Sequence, residues 1–123
     1  MFDGQILMTQ TDGSAVSVYS PWLPRGADYV LATLDLIKAY NLGASIGSLE
    51  VRVFHKSAED AGDGTQSGST TISRETAGRT TVEFGPLKEL VRFKFTINAG
   101  GASATGWALF RMLSPVWFDA VKV

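Results

Sequence analysis

Strict alternation of apolar and polar side chains is the feature that most constrains the fold of this chain. It is clearest in Leu49–Lys56 and in Leu90–Ile97. A period of two is typical of a β-strand with one buried face, because successive side chains point to opposite sides of the strand. One face of the first strand carries Leu49, Val51, Val53 and His55, and one face of the second carries Val91, Phe93, Phe95 and Ile97. The chain is therefore predicted to build sheets around an apolar core.

Six further stretches are predicted to be strands because short apolar runs alternate with turn residues. They are Gln5–Thr9, Ala15–Tyr19, Tyr29–Tyr40, Thr70–Glu75, Thr80–Phe84 and Trp107–Leu113. Asp12-Gly13 lies between two of them and is predicted to close a hairpin, since this dipeptide fits a two-residue turn. The polar stretch Ser57–Ser69 is predicted to be an exposed connection.

Tyr29–Tyr40 has two interpretations. A helix would align Leu31, Leu34 and Ile37 on one stripe, whereas a strand would alternate apolar residues with Thr33 and Asp35. We favour the strand because its neighbours are strand-like and turn residues follow at once.

Short strands separated by turn residues are typical of sandwiches and small barrels. The sequence has 123 residues, of which 45% are hydrophobic and thirteen are glycine, enough for one core and many tight turns. We therefore predict an all-β fold of one domain spanning residues 1–123. It is expected to be a single antiparallel β-sandwich (jelly-roll-like) or a small barrel of about seven to eight strands.

Charge and cysteine content argue against several classes of function. The formal net charge is −1, so no overall basic field favours a nucleic-acid or membrane partner. The absence of cysteine excludes disulfides, thiol catalysis and cysteine-ligated zinc. The start of the chain lacks the pattern of a signal peptide, and no run approaches the ~20 apolar residues of a membrane span. A soluble protein without a cofactor is expected.

Catalytic residues are scarce. His55 is the one histidine, and it falls on the apolar face of its strand, where it could be a general base but is better explained as a strand-end residue bonded to a neighbour. With one histidine and no cysteine, neither a catalytic triad nor a zinc site is easily assembled. The carboxylates outside Ser57–Ser69 are scattered singly. The chain is therefore predicted not to be an enzyme.

Glu59, Asp60 and Asp63 lie within five residues of one another in the polar connection. Carboxylate oxygens are the ligands that calcium prefers, so a calcium site is conceivable there. The spacing does not match that of an EF-hand loop. A solvated loop without metal is therefore the favoured prediction.

Aromatic residues outside the regular strands are the better candidates for a contact surface. Trp22 and Arg25 belong to a proline-bracketed loop, and Trp117 and Phe118 belong to an unusually apolar terminal stretch. Chain ends are usually polar and fray unless they are tied down. This apolar stretch is therefore expected either to add a last strand or to dock onto another subunit. Phe54 is the apolar residue on an otherwise charged strand face. Trp22, Arg25, Phe54, Trp117 and Phe118 are therefore the candidate interface residues, whereas Trp107 is predicted to lie in the core.

Several of these features together resemble the small β-sandwich accessory proteins of tailed-phage particles, such as capsid decoration (cement) proteins or small head and tail subunits. They are the cysteine-free length, the glycine-rich turns, the Ser57–Ser69 loop, the Leu90–Ile97 strand and the apolar end Trp107–Val123. The resemblance implies a structural role in a virion that is assembled in the host cytoplasm. It also implies contacts with other copies of the chain and with a major capsid or other virion protein.

A structural assembly protein of the virion is thus the first functional hypothesis. The alternative is a carbohydrate-binding β-sandwich module, in which Trp22, Trp117 or Tyr19 would stack on sugar rings. An enzyme is the third and least favoured hypothesis, because the sequence offers no evident catalytic base and nucleophile.

Overall fold

The computed structural model describes residues 4–11, 15–41, 48–68, 71–98 and 105–119. Within these ranges the chain forms eleven strands and no helix, so it contains no helix that could cross a membrane. The strands are β1 Ile6–Gln10, β2 Val16–Tyr19, β3 Leu23–Pro24, β4 Tyr29–Tyr40, β5 Ser48–Lys56, β6 Thr65–Gln66, β7 Ile72–Arg74, β8 Gly78–Phe84, β9 Leu90–Asn98, β10 Gly106–Met112 and β11 Val116–Phe118.

Two antiparallel sheets pack against each other as a β-sandwich, which confirms the predicted fold. Sheet A has the order β1-β10-β4-β8, and sheet B has the order β2-β9-β5-β7. The short strands extend this frame: β11 pairs with the start of β4, β3 with β9, and β6 with β5. Strands that follow one another in sequence repeatedly change sheet, and this arrangement of two interlocked four-stranded sheets is that of a jelly roll.

The core lies between the two sheets and is built by the alternating residues of the long strands. Phe95 of sheet B and Phe110 of sheet A meet there, with ring centroids 5.4 Å apart. Each such large side chain contributes about 1.5–3 kcal/mol when it is fully buried. Fully buried side chains include Val30, Leu34, Leu36, Leu49, Val51, Val53, Phe93, Ile97, Phe110 and Met112. The inner faces predicted for Leu49–Lys56 and Leu90–Ile97 are largely confirmed, although His55 is only partly buried.

Tyr29–Tyr40 is a strand over its whole length, and the helical interpretation is wrong. Its two edges are both occupied, because β8 pairs along one edge while β10 and β11 share the other. Thr33 and Asp35 accordingly lie on the outer face of the sheet, between buried apolar neighbours. The stripe Leu31, Leu34 and Ile37 is consequently split between the two faces of the sheet.

Two local predictions are wrong. β1 and β2 do not form a hairpin, because β1 pairs in sheet A and β2 pairs in sheet B. Asp12-Gly13 itself lies outside the described residues. Trp107 is not in the core: β10 turns Ala108 and Phe110 inward, so Trp107 points to the outer face of sheet A.

The polar connection and the C-terminal stretch each gain a short strand. Residues 57–63 are exposed as predicted, but Thr65–Gln66 pairs with β5 and Ser67 is buried, donating its N–H to the Val53 carbonyl. Val116–Phe118 adds the predicted last strand by pairing with the start of β4. Ser69 and residues 120–123 lie outside the described residues.

Candidate interaction surfaces

The outer face of sheet A carries a group of large apolar side chains, here called the apolar patch. Its members are Leu7 and Tyr40, which are exposed, and Trp107 and Leu109, which are partly exposed. The strand register places Leu7 opposite Leu109 and Trp107 opposite Tyr40. Tyr40 and Trp107 are stacked, with centroids 6.5 Å apart and ring planes inclined by 19°. Leu7 is 61% exposed and Tyr40 is 59% exposed. Large apolar side chains grouped on a solvent face indicate a contact surface.

A β-bulge adds Tyr40 to this patch. The pairing between β4 and β10 shifts at Leu109 and Phe110, which leaves Ile37 as the extra residue of β4. Before the shift, the even-numbered residues of β4 point inward, whereas after it Ala39 packs inward and Tyr40 points outward. A bulge changes which side chains share a face because side chains alternate with a period of two. Tyr40 thereby reaches the same face as Trp107.

A charged network borders the apolar patch on the same face. The Asp35 carboxylate accepts a hydrogen bond from Arg111 Nε at 2.9 Å, and Arg79 Nε lies 3.6 Å from the same oxygen. The next row across the sheet joins the Thr33 and Thr81 hydroxyls at 2.8 Å. The Asp35 carboxylate and the Thr33 and Thr81 hydroxyls thus have their partners within one molecule.

The outer face of sheet B is different, because cations and aromatic rings alternate across it. We call this set the cation–aromatic face; its members are Tyr19, Trp22, Arg52, Phe54, Lys56, Arg92 and Lys94. Cross-strand pairing sets Phe54 opposite Arg92 and places Lys94 between Tyr19 and Arg52. Tyr19 and Phe54 meet edge to face with centroids 6.0 Å apart.

The cations of this face pack against its aromatic rings. The Arg92 guanidinium lies 4.1 Å from the Tyr19 centroid and 4.6 Å from that of Trp22. Lys56 Nζ also lies 4.6 Å from the Trp22 centroid and donates a hydrogen bond to the Gly62 carbonyl at 2.8 Å. Desolvated cation–π contacts of this kind are worth about 2 kcal/mol. The rings are therefore structural supports for the cations.

At the centre of the face the cations outnumber the carboxylates. Arg52 and Lys94 are direct cross-strand neighbours, an arrangement that is unfavourable for like charges. Glu50 bridges Arg52 at 3.2 Å. Within the described ranges, the Nε atoms of Arg52 and Arg92 are buried without a hydrogen-bond partner. Such a concentration of positive charge is costly to an isolated molecule and useful when an anionic partner is present.

The five residues predicted from sequence as interface candidates are divided between the two sheets. Trp22 and Phe54 belong to the outer side of sheet B. Trp117 packs against the core and Gly26, and Phe118 stacks on Tyr29 with centroids 5.5 Å apart. The two C-terminal rings thus help to close one end of the sandwich.

Arg25, the remaining candidate, is tied to its own neighbourhood. Its guanidinium donates to the Leu87 carbonyl and lies 3.0 Å from an Asp28 carboxylate oxygen. Its backbone N–H donates to the Glu89 carbonyl at 2.9 Å. These bonds fix the chain between β3 and β4.

The acidic loop does not gather its carboxylates into a metal-ligating group. Asp60 Oδ1 accepts a hydrogen bond from the Gly62 N–H at 2.7 Å, and Asp63 approaches Arg92 at 4.0 Å. Among the residues that the structure describes, no three histidine or acidic side chains stand together as metal ligands. Asp60 therefore shapes the turn, while the Asp63 side chain remains fully exposed.

His55 is bonded at the end of its strand. Its Nδ1 accepts a hydrogen bond from the Lys88 backbone N–H at 3.2 Å. Burial, and secondarily the positive charge of Lys88, lower the pKa of His55 below its usual value of 6.5. The ring is consequently neutral near pH 7.

Searches for similar proteins find no family model and no curated protein that match this sequence. Function is therefore inferred from the two outer faces. Residue-by-residue reading of the sequence missed the apolar patch because the bulge at Ile37 is not visible in the alternation. It missed the cation–aromatic face because only strand pairing unites Arg52 with Lys94. The available signal was that both of the clearest strands carry two cations on their polar faces.

Proposed function

We propose that this chain is a structural assembly protein, a virion component of the capsid decoration (cement) type, that acts through repeated protein–protein contacts. The observation that carries the proposal is the apolar patch. Strand pairing fixes the backbone positions of its members, and Tyr40 and Trp107 are stacked before any partner arrives. A preorganised apolar surface loses little conformational entropy when it is covered.

Burial of the patch supplies the favourable free energy of such a contact. Covering an exposed leucine or aromatic side chain contributes about 1.5–3 kcal/mol. A stable interface of ~800 Å² per partner depends on only a few such anchors. Leu7 and Tyr40 are the two anchors with the most surface left to bury.

The fold is a weaker support for the proposal. Jelly rolls form many viral capsid proteins, but they also form lectin domains and cupins. In the proposed role the partners are other copies of the chain and a major capsid or other virion protein. The protein would be assembled in the host cytoplasm and retained in the particle.

The carbohydrate-binding alternative has less support from the geometry. A sugar needs an open aromatic face, whereas cations lie over the rings of Tyr19 and Trp22. Trp117 packs against Gly26 and the core.

Self-association of the purified protein tests the proposal. Replacing Leu7 and Tyr40 together by serine is expected to raise the dissociation constant by about a hundredfold, since two anchors are lost. Val18→Ser is the matched control, because Val18 is an edge-strand apolar residue that is 47% exposed outside the patch. Sedimentation velocity over a range of concentrations gives the constants. A wild-type protein that stays monomeric and binds no particle would contradict the proposal.

The virion role has a separate test. Mass spectrometry of purified particles from a culture that expresses the chain is expected to find it in many copies per particle. Particles carrying the Leu7→Ser/Tyr40→Ser variant are expected to retain fewer copies than particles carrying Val18→Ser. Equal retention of both variants would show that the patch does not hold the protein in the particle.

A further inference from the structure

Positive charge is concentrated on one side of the molecule. The chain has 11 basic and 12 acidic residues. Four of the basic residues but only one acidic residue, Glu50, project from β5 and β9 on the outer face of sheet B. Seven basic and eleven acidic residues are thereby left for the rest of the chain. One copy thus offers a cationic face and a predominantly acidic remainder, which is the charge pattern of a self-complementary surface.

The state of the rings narrows the class of ligand for this face. Single-stranded nucleic acids and sugars bind such sheets by stacking on open aromatic faces. Here Arg92 lies over Tyr19 and Trp22, and Lys94 lies 5.5 Å from the Tyr19 centroid. The groups left for a ligand are the partly exposed cations, chiefly Arg52, whose side chain is 39% exposed. Guanidinium and ammonium groups without open stacking surfaces bind carboxylates and phosphates. Of these two anions, the chain itself supplies carboxylates.

The acidic turn Glu59–Asp63 supplies carboxylates of the required kind. All of its residues are exposed, and the Asp63 side chain is 100% exposed. Within its own molecule the turn comes within 4.0 Å of Arg92 at one end of the cation–aromatic face. Among the described contacts it reaches neither Arg52 nor Lys94. Arg52 has one carboxylate partner there, Glu50, and keeps a partly exposed side chain. Both central cations can therefore accept a further carboxylate from the same turn of a different copy.

We propose that the cation–aromatic face binds the acidic turn of a second copy of this chain, with Arg52 and Lys94 pairing with Glu59 and Asp63. This inference rests on the proposed assembly function and assigns it a second, electrostatic interface. Because the face and the turn are different surfaces, the contact is head to tail and each copy can extend the assembly. Rings or open chains result, depending on the rotation between neighbours.

A charge-swap experiment tests this contact. The first variant carries Arg52→Glu and Lys94→Glu, and the second carries Glu59→Lys and Asp63→Lys. Each alone is expected to raise the dissociation constant for self-association on the order of tenfold or more, because like charges would then face each other. An equimolar mixture is expected to recover association, since the reversed face matches the reversed turn. Lys88→Glu and Glu75→Lys are exposed controls with the same kinds of charge change.

Salt provides the second readout. Wild-type association is expected to weaken between about 0.05 M and about 0.5 M NaCl, because exposed charges are screened over shorter distances at high salt. Circular dichroism of each variant verifies that it is folded. Loss without recovery in the mixture, or unchanged association of both variants, would overturn the proposal.

The outcomes distinguish this inference from the assembly function itself. If the Leu7→Ser/Tyr40→Ser variant dissociates while the charge variants behave as wild type, the apolar patch is the interface and the electrostatic contact is wrong. If wild type is monomeric under every condition, both are wrong. If a single-stranded oligonucleotide binds wild type and not the Arg52→Glu/Lys94→Glu variant, while self-association is unchanged, the face belongs to nucleic acid and the second-copy proposal is overturned.

Discussion

The two outer faces of this sandwich differ in which side chains are paired within the molecule and which are left exposed. On sheet A, Arg79 and Arg111 are both paired with Asp35, and the apolar side chains near Tyr40 are left exposed. On sheet B, the aromatic rings are covered by cations, and the charges are left without enough partners. The outer face of sheet A therefore exposes apolar side chains, and the outer face of sheet B carries an excess of positive charge.

This difference teaches that the two faces would contribute differently to an assembly. Apolar burial supplies most of the affinity but little orientation, because it is not directional. Charge pairs add specificity and speed encounter more than they add affinity. A protein that must meet several neighbours in a fixed geometry benefits from having both surfaces on opposite sides of a rigid core.

The sharpest way to break the comparison is to remove one tryptophan from each face. Trp22→Ala is expected to reduce the free energy of unfolding by about 3 kcal/mol, because Lys56 and Arg92 both lose the ring on which they pack. Trp107→Ala is expected to cost only about 1 kcal/mol, since Trp107 stacks on an exposed tyrosine. Urea-induced unfolding followed by circular dichroism measures both values.

Self-association is expected to show the opposite order, with the larger loss for Trp107→Ala. Trp107→Ala removes part of the apolar patch and is expected to weaken self-association at concentrations where it remains folded. Equal losses of stability for the two variants would mean that Trp22 is not a structural support. The contrast between the faces would then be incorrect.

Much of the fold could be predicted from sequence because it depends on alternation. One face of β9 is buried from Val91 to Ile97, and one face of β5 is buried from Leu49 to Val53, so the period of two is undisturbed over these stretches. The exchange of β1 and β2 between sheets could not be predicted, because local turn chemistry at Asp12-Gly13 does not encode which strand each one pairs with. Pairing is a long-range property.

The candidate surfaces were less predictable than the fold. Phe54 was identified as an apolar residue on a charged face, and it does lie among cations. Trp107 is predicted from sequence to lie in the core, whereas its position in β10 turns it outward. Tyr40 depends on a single extra residue in β4. Surface properties therefore depended on register, which sequence alternation alone does not fix.

A pair of glycines sharpens the account of sheet B. Gly64 and Gly68 both have positive φ, +73° and +67°, so alanine strains the backbone similarly at both positions. A Cβ on Gly64 would lie 2.8 Å from Trp22 Cη2 and 2.7 Å from the His55 carbonyl oxygen, whereas a Cβ on Gly68 meets nothing within 4 Å. Gly64→Ala is therefore expected to cost about 2 kcal/mol more than Gly68→Ala.

Thermal and urea unfolding of the two alanine variants measure this difference directly. The common cost of the left-handed conformation, about 1–2 kcal/mol, cancels in the comparison. What remains is the close packing of Trp22 over the chain. Identical stabilities would imply that the ring moves freely, and the cation–aromatic face would then be a loose rather than a fixed surface.

The smallest expected effect is a dependence of stability on pH that is specific to sheet B. His55 is the only histidine, and its pKa is lowered in the folded protein by burial and by Lys88. The unfolded chain therefore binds the proton more readily than the folded one. The stability associated with neutral His55 is present above pH 6.5 and is lost as the pH falls from 6.5 through the lower pKa of the folded state.

Replacing the histidine isolates this effect from the titration of the carboxylates. His55→Gln is expected to flatten the fall in the urea midpoint between about pH 7 and about pH 5, because glutamine has no proton to gain in that range. Gln is also able to accept the hydrogen bond from the Lys88 N–H, so the comparison at the higher pH measures packing alone. Protonation of His55 would place a charge in a partly buried position and near Lys88, the two causes that lower its pKa. If wild type and variant lose stability in parallel on acidification, burial and Lys88 do not disfavour the protonated form of His55 in the folded protein.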